Sequence, residues 1–498
     1  MASPKKLMLV VIDGMKPSAL ERAVATGKAK TLGLLMERGT YVDDCCAAFP
    51  SVTPTCAATI ATGTLQDRHH VPSMNWWSRD EKRYVEYGSS FGAARRLGIN
   101  RQLVDTVYNM NMEHLAADAP TVFEDLDDAD VRTAGTTYLM WRGRHEHTAS
   151  RESALTRIAG QTLFKRPIKG PRELFYADVY ASRTTGCKSQ LGMPGLRDQH
   201  SGCVGSYLVE HDLFDFLLLS LPDNDTHSHK NGPHAQVTSI HDADHQMERV
   251  MKAAGGVEAF LDTHAVIVVA DHSHAAVEER VDIIDAFGDL AVVGPGRAKP
   301  DDAEIAVCPA QRSAMVYVLV PGARDQVLPQ VLGTALELDG VDLAMHREQG
   351  TAIVSSERGV LSFAPGQEVR DARGAEWIVR GNLDALDARV EDGVFVSDAY
   401  PDALARVWAA LQCPTSGDVL LSAAPGYEFA DWGGADHVGG GSHGSLHRSD
   451  SLGALVFCGV EGLEKESRPP RPPTPRHQWS IRDVAGMVRR HFRLPSPG

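Results

Sequence analysis

A layered α/β fold is the class this 498-residue chain predicts, on three observations. Continuous apolar runs of strand length, Leu7-Met8-Leu9-Val10-Val11-Ile12 and Ala265-Val266-Ile267-Val268-Val269-Ala270 among them, suit strands buried on both faces of a parallel sheet. Helical periodicities alternate with those runs. Asp and His residues collect just past the runs, on the side where open α/β sheets place their sites.

In order, the first run ends at Asp13-Gly14, and helical patterns follow at Pro17 to Thr26 and Thr31 to Glu37. Thr53 then reads as the N-cap of a short helix with Pro54 at its first position, small residues from Cys56 to Thr62, and Gly63 as its stop. From 76 to 188 the pattern loosens into an excursion expected at the mouth of a site. A helix near Asp198 to Glu210 and a strand at Phe214 to Leu221 restore order, and Pro222 to Pro233 reads as a polar loop. A helix over Val237 to Lys252 precedes the Ala265 run, which leads into Asp271-His272-Ser273-His274. Residues 295–413 form a smaller α+β unit, with strands at Met315 to Val320, Ala352 to Ser355 and Val360 to Phe363 and a helix at Gln326 to Glu337. The expected division is a core of residues 1–294 and 414–498, resuming at Asp418 to Leu421 and Leu455 to Phe457, with 295–413 inserted as a cap. Arg468 to Pro475 is a stiff Pro-rich tether, and a last helix starts at Ser480 with Asp483 placed as in a capping box.

Hydrophobic residues make up 43% and charged residues 23%, as in a globular enzyme of this size, and length alone allows roughly two to four domains or one large core with insertions. The net charge of −15 opposes binding to a nucleic-acid scaffold or an anionic membrane through bulk charge. An anionic substrate stays open, because bound divalent cations reverse a local field. The eight Cys include no Cys-x-x-Cys pair, so reduced, mostly buried thiols are expected. The apolar run after Lys5-Lys6 is too short for a signal sequence and no run reaches membrane-span length, so the expected compartment is the cytoplasm. Oligomeric state leaves no signal.

Asp and His side chains are ligands for Zn2+, and Asp13, Asp225/His229, Asp271/His272 and His443 in its glycine-rich setting are enough for two ions. Two ions a few ångström apart suit displacement at phosphorus. Asp223/His227 has the same spacing as Asp225/His229 and competes with it for a ligand role.

These motifs, Val11-Ile12-Asp13-Gly14, Pro50-Ser51-Val52-Thr53 through Gly63, Asp225 and His229 followed by Gly232-Pro233, Asp271-His272, and Gly441-Ser442-His443-Gly444, come in an order that resembles the alkaline phosphatase superfamily. The nucleotide pyrophosphatase/phosphodiesterase branch is the best match. The resemblance implies a three-layer α/β/α sandwich around a mostly parallel sheet with inserted α+β cap regions. It also implies hydrolysis of phosphodiester or phosphoanhydride bonds in a small anionic phosphorus-containing substrate, with two divalent ions, taken as Zn2+. Asp13, Thr53, Asp271 and His272 would hold the ion on the nucleophile's side, and Asp225, His229 and His443 the ion facing the leaving group. The Asp225/His229 pair is preferred because Gly232-Pro233 follows at the family's distance. Thr53 would attack phosphorus to give a phospho-threonine that water then hydrolyses, and Asn75 would hydrogen-bond a phosphoryl oxygen. Asp223, His227, His274, His437 and His447 could support the ligands from behind.

Departures from the branch lie beside the nucleophile. Pro54 replaces a common aromatic, Cys56 a common Asn, and His69-His70 alters a pocket edge, so the usual nucleotide-base pocket is not implied. Trp76 and Trp77 either stack on substrate or pack. Rival readings are a phosphonoacetate-type C–P hydrolase, a phosphomonoesterase and an inactive metal-binding scaffold. A sulfatase is opposed by the absence of Cys-x-Pro-x-Arg around Cys56.

Overall fold

The computed structural model describes residues 4–150, 158, 160–190, 192–463 and 478–495. Among these residues, eight strands form one sheet in the order Thr40–Cys46, Leu452–Cys458, His264–Val269, Lys6–Ile12, Phe216–Leu221, Thr133–Thr136, Glu173–Tyr176, Tyr180–Ala181. Lys6–Ile12 lies at the centre, parallel to Phe216–Leu221 on one side and His264–Val269 on the other. Its alternation divides the interior in two. Leu7, Leu9 and Val11 face one core, and Met8, Val10 and Ile12 the other. Helices Pro17–Ala25, Lys30–Arg38, Arg197–Glu210 and Gln236–Lys252 cover the second core with Leu20, Leu35, Val204 and Met247. Thr53–Thr62, Val122–Asp128 and Asp483–His491 cover the first with Ile60, Leu126 and Val488. The result is the expected three-layer α/β/α sandwich around a mostly parallel sheet, with Thr40–Cys46, Leu452–Cys458 and Tyr180–Ala181 running antiparallel to their neighbours.

A second, nine-stranded sheet holds Ile305–Ala310, Ser313–Val318, Val341–Glu348, Thr351–Ser356, Gly359–Arg370, Glu376–Gly381, Ala388–Glu391 and Val394–Ser397. Its other member is Val419–Ala423, between Ser313–Val318 and Val341–Glu348. That strand was expected in the core. A buried Val-Leu-Leu run looks the same inside either sheet, and only its long-range partners decide. The stretch 76–188 also differs from a plain excursion, because Thr133–Thr136, Glu173–Tyr176 and Tyr180–Ala181 extend the first sheet.

Other expectations change locally. The polar loop after Leu221 is a helix, Asp223–Asn231, with Asp223 and Asp225 in its first turn and His229 and Lys230 in its last, as the helix dipole favours. The last helix begins at Asp483, not Ser480, yet Asp483 Oδ2 accepts the Ser480 N–H at 2.9 Å, which is half of the expected box. Cys187 and Cys203 form a disulfide, correcting the reading of all eight cysteines as thiols. The tether at Arg468 to Pro475 lies outside the described residues. No helix among the described residues is long and apolar enough to cross a membrane.

Candidate metal centre

Loops that leave the parallel strands meet above the first sheet. Lys6–Ile12 delivers Asp13, whose carbonyl accepts from Asn224 Nδ2 at 2.7 Å. Gln236 clamps the following turn, donating from Nε2 to the Gly14 carbonyl and accepting the Lys16 N–H, both at 2.9 Å. His264–Val269 delivers Asp271, which accepts the N–H groups of Gly14 (3.0 Å) and His272 (2.9 Å) on Oδ1. The helix Asp223–Asn231 carries Asp225 and His229 one turn apart on one face, and Gly441–Ser442 leads into His443.

Two groups result. In the first, His272 Nε2 lies 3.2 Å from Thr53 Oγ1, 3.4 Å from Asp13 Oδ1 and 3.5 Å from Asp271 Oδ2. In the second, Asp225 Oδ1 lies 2.9 Å from His274 Nε2, 3.2 Å from His229 Nε2 and 3.4 Å from His443 Nε2. Ligand atoms around a tetrahedral Zn2+ stand about 3.3 Å apart, given metal–ligand bonds of about 2.0–2.2 Å. Both groups carry that spacing. The ring orientations agree: Nδ1 of His229 faces the Gly441 carbonyl at 2.8 Å, Nδ1 of His443 the Ser51 carbonyl at 2.7 Å, and Nδ1 of His272 the Ser273 carbonyl at 3.1 Å. A carbonyl only accepts, so each ring keeps its proton on Nδ1 and offers the Nε2 lone pair inward.

Electrostatics point the same way. Burial, with Asp271 and Asp225 nearby, holds the Asp13 carboxyl well above the usual range, and burial pushes Asp271 up to about 6. Burial lowers His272 to about 4 and holds His274 and His443 below the usual imidazole value. At Asp225 burial is outweighed by the imidazole of His229, with those of His274 and His443 beside it, and its carboxyl is held low. Crowded buried carboxylates and neutral imidazoles lack a positive charge that a divalent cation supplies. Asp13 Oδ1 and His443 Nε2 are buried without hydrogen-bond partners. The donor set therefore fits divalent ions.

Thr53 opens its helix but does not cap it. Val52 is the N-cap residue, and the half-buried Thr53 hydroxyl turns to His272 instead. Gly63 ends the helix at φ +77°, as expected. Asn75 sits apart in the hairpin of Asn75–Ser78 and Arg83–Glu86, donating from Nδ2 to the Val85 carbonyl (3.1 Å) and Glu86 Oε2 (3.0 Å), with its buried Oδ1 unpartnered. Asp223 turns away from the centre to the N–H groups of Gly195 (2.9 Å) and Asp198 (3.1 Å) and to Arg197 Nε (2.8 Å). His274, first read as a supporting side chain, is part of the second group. The legible signal was the alternation His272-Ser273-His274, which turns both rings to one side of an extended segment. His437 stacks on His229 at 4.0 Å between ring centroids and is held by Glu428 Oε1 at 2.7 Å. His447 bonds Ser449 Oγ at 2.9 Å. Cys56, His69, Trp76 and Trp77 are all buried, His69 against Thr59 Oγ1 at 3.2 Å and Trp76 edge-on to His114. Asn224, Gln236 and Gln311 were missed, since a lone amide carries no motif.

With this geometry in hand, comparisons with known proteins agree. Residues 7–446 match the model of the family "Type I phosphodiesterase / nucleotide pyrophosphatase". No curated protein sequence matches the chain. The fold is shared with murine ectonucleotide pyrophosphatase/phosphodiesterase 5, solved as an inactive variant in complex with AMP (TM-score 0.59, 11% identity, covering 99% of this chain and 96% of that chain). It is also shared with phosphonoacetate hydrolase from Sinorhizobium meliloti 1021, solved with phosphonoformate (TM-score 0.55, 15% identity, 98% and 96%). The motif order, the sandwich and the family match converge: the chain belongs to the type I phosphodiesterase/nucleotide pyrophosphatase family.

Proposed function

We propose that the protein hydrolyses phosphodiester or phosphoanhydride bonds in a small anionic substrate through a phospho-threonine on Thr53. The observation that carries this reading is the half-buried Thr53 hydroxyl, 3.2 Å from His272 Nε2 and beside Asp13 and Asp271, with the second group next to it. Two divalent ions, taken as Zn2+, would be held by Asp13, Thr53, Asp271 and His272 and by Asp225, His229 and His443. Bound there, they supply charge that lowers the nucleophile's pKa and neutralises the departing oxygen.

The chain's own part is to place the oxygen. Thr53 Oγ1 gives its proton to solvent and bonds to phosphorus as the bond to the departing oxygen breaks. That oxygen leaves on the alcohol or phosphate product, taking up a proton from solvent where its basicity requires one. Water then cleaves the phospho-threonine, returning the hydroxyl and releasing the phosphoryl product. N–H groups at the start of Thr53–Thr62 favour a nearby anion, although Pro54 contributes none. Asn75 fills its proposed role on a phosphoryl oxygen by giving up its bond to Glu86, because both amide hydrogens are engaged in the hairpin. The cytoplasmic placement is the part of the reading that Cys187–Cys203 weighs against, since disulfides persist in oxidising surroundings.

The test is a parallel assay of an aryl phosphodiester, an aryl phosphomonoester and phosphonoacetate with added zinc. Preferred cleavage of the diester supports the reading. Preferred release of acetate and phosphate from phosphonoacetate replaces it with C–P hydrolysis, preference for the monoester makes a phosphomonoesterase, and inertness toward all three makes a scaffold.

A further inference from the structure

The hairpin joining Ile305–Ala310 to Ser313–Val318 carries its tip from the second sheet into the metal centre. Residue 311 there is Gln, at φ +62°, a left-handed conformation that hairpin tips usually give to Gly, Asn or Asp. The tip is fixed on both sides. Phe429 N–H donates to the Gln311 carbonyl at 2.8 Å, and Arg312 N–H donates to the His443 carbonyl at 3.0 Å. The Gln311 side chain is buried, its Nε2 lies 3.4 Å from His229 Nε2, and its Oε1 has no hydrogen-bond partner.

On the reading given under Proposed function, on which this inference rests, the His229 Nε2 lone pair belongs to an ion. The amide of Gln311 then loses its one side-chain hydrogen bond among the described residues, and a buried amide with neither donor nor acceptor satisfied is costly. A strained backbone that places such an amide beside the leaving-group ion calls for a third party to satisfy it. We propose that Gln311 is a substrate-binding residue, donating from Nε2 to an oxygen of the phosphoester on the departing-group side. The second sheet thereby lends a reading head to a centre whose ion-binding side chains come from the first sheet's loops and helices. As a neutral amide, Gln311 recognises an ester or phosphoryl oxygen without requiring a second negative charge on the substrate.

Gln311→Gly tests this on the full-length, zinc-loaded protein, because Gly relaxes the φ +62° backbone while removing the amide. The expected result is a folded variant with a melting temperature at or above that of the parent and an unchanged zinc content. Its kcat/KM on the aryl phosphodiester should be about 10- to 100-fold lower. A kcat/KM within about twofold of the parent overturns the inference, making Gln311 a turn residue only. Loss of zinc from the variant overturns it too, making Gln311 an ion ligand. A parent protein that takes up no zinc or cleaves no diester instead sinks the reading beneath it. That result is separable, because it appears before any variant is made.

Discussion

Residue 14 and His274 compete for the same space. A Cβ at Gly14 would fall 2.6 Å from both Cδ2 and Nε2 of the His274 ring, and Gly14 stands at φ +66°. The glycine after Asp13 thus lets a third imidazole, that of His274, approach Asp225 beside His229 and His443. Gly14→Ala is expected to cost about 1–3 kcal/mol of stability, through backbone strain and displacement of the ring, and to weaken zinc binding at the Asp225 group. Thermal denaturation with and without zinc, together with zinc titration, checks both. Unchanged stability and affinity would show that the ring yields freely.

Thr53→Ala removes a hydroxyl whose side-chain partner is His272 Nε2, so folding and zinc content should be retained. Turnover of the diester should fall at least about a thousandfold, as when other nucleophiles are deleted. Rapid-quench trapping of a phosphorylated Thr53 in the parent would complement the variant. Undiminished turnover would remove Thr53 from the nucleophile's role.

His229 and His227 share a helix but have different surroundings. His229 Nε2 lies 3.2 Å from Asp225 Oδ1, whereas His227 Nδ1 lies 3.4 Å from Asn231 Nδ2 at the surface. His229→Ala should lose one zinc ion of two, and His227→Ala neither; metal analysis of the two purified variants decides. The opposite pattern would move the second ion to Asp223 and His227.

Asp198 gives a pH-dependent stability unrelated to ion binding. Burial, reinforced by Asp223, pushes its carboxyl up to about 8. It is protonated in the folded protein where the unfolded chain would release the proton. The stabilisation is therefore complete below the usual carboxylate range and is lost as pH rises through about 8. Asp198→Asn should flatten this dependence, so that melting temperature falls less between pH 5 and pH 9 than in the parent. The difference is on the order of a few kcal/mol across the window. An equally steep fall in the variant would place the titration elsewhere.

Much of this was legible in the chain. Lys6–Ile12 and His264–Val269 announced themselves because a strand buried on both faces has no polar positions, and Asp13, Asp225, Asp271, His272 and His443 because those residue types at strand ends carry few other meanings. The Asp223–Asn231 helix was not legible, since its face toward the centre is as polar as a loop and no apolar periodicity marks it. Val419–Ala423 was legible as a strand but not as a member of the second sheet. Gln311 left no trace, because its role depends on a hairpin tip reaching a loop far away in sequence.

His443 is held in place from the second sheet. Arg312 N–H holds its carbonyl at 3.0 Å, and Ser422 Oγ, in the second sheet, accepts the N–H of Leu446 just beyond it at 3.0 Å. The second sheet is therefore a wall of the reaction chamber and not a detachable lid. A minimised protein stripped of residues 295–430 would lose the hydrogen bonds that fix the His443 segment, however intact its sandwich. The same arrangement gives evolution a route to new substrates. If Gln311 contacts substrate as proposed, changes along the Ile305–Val318 hairpin would retune what the centre accepts while every candidate ion-binding side chain stays as it is.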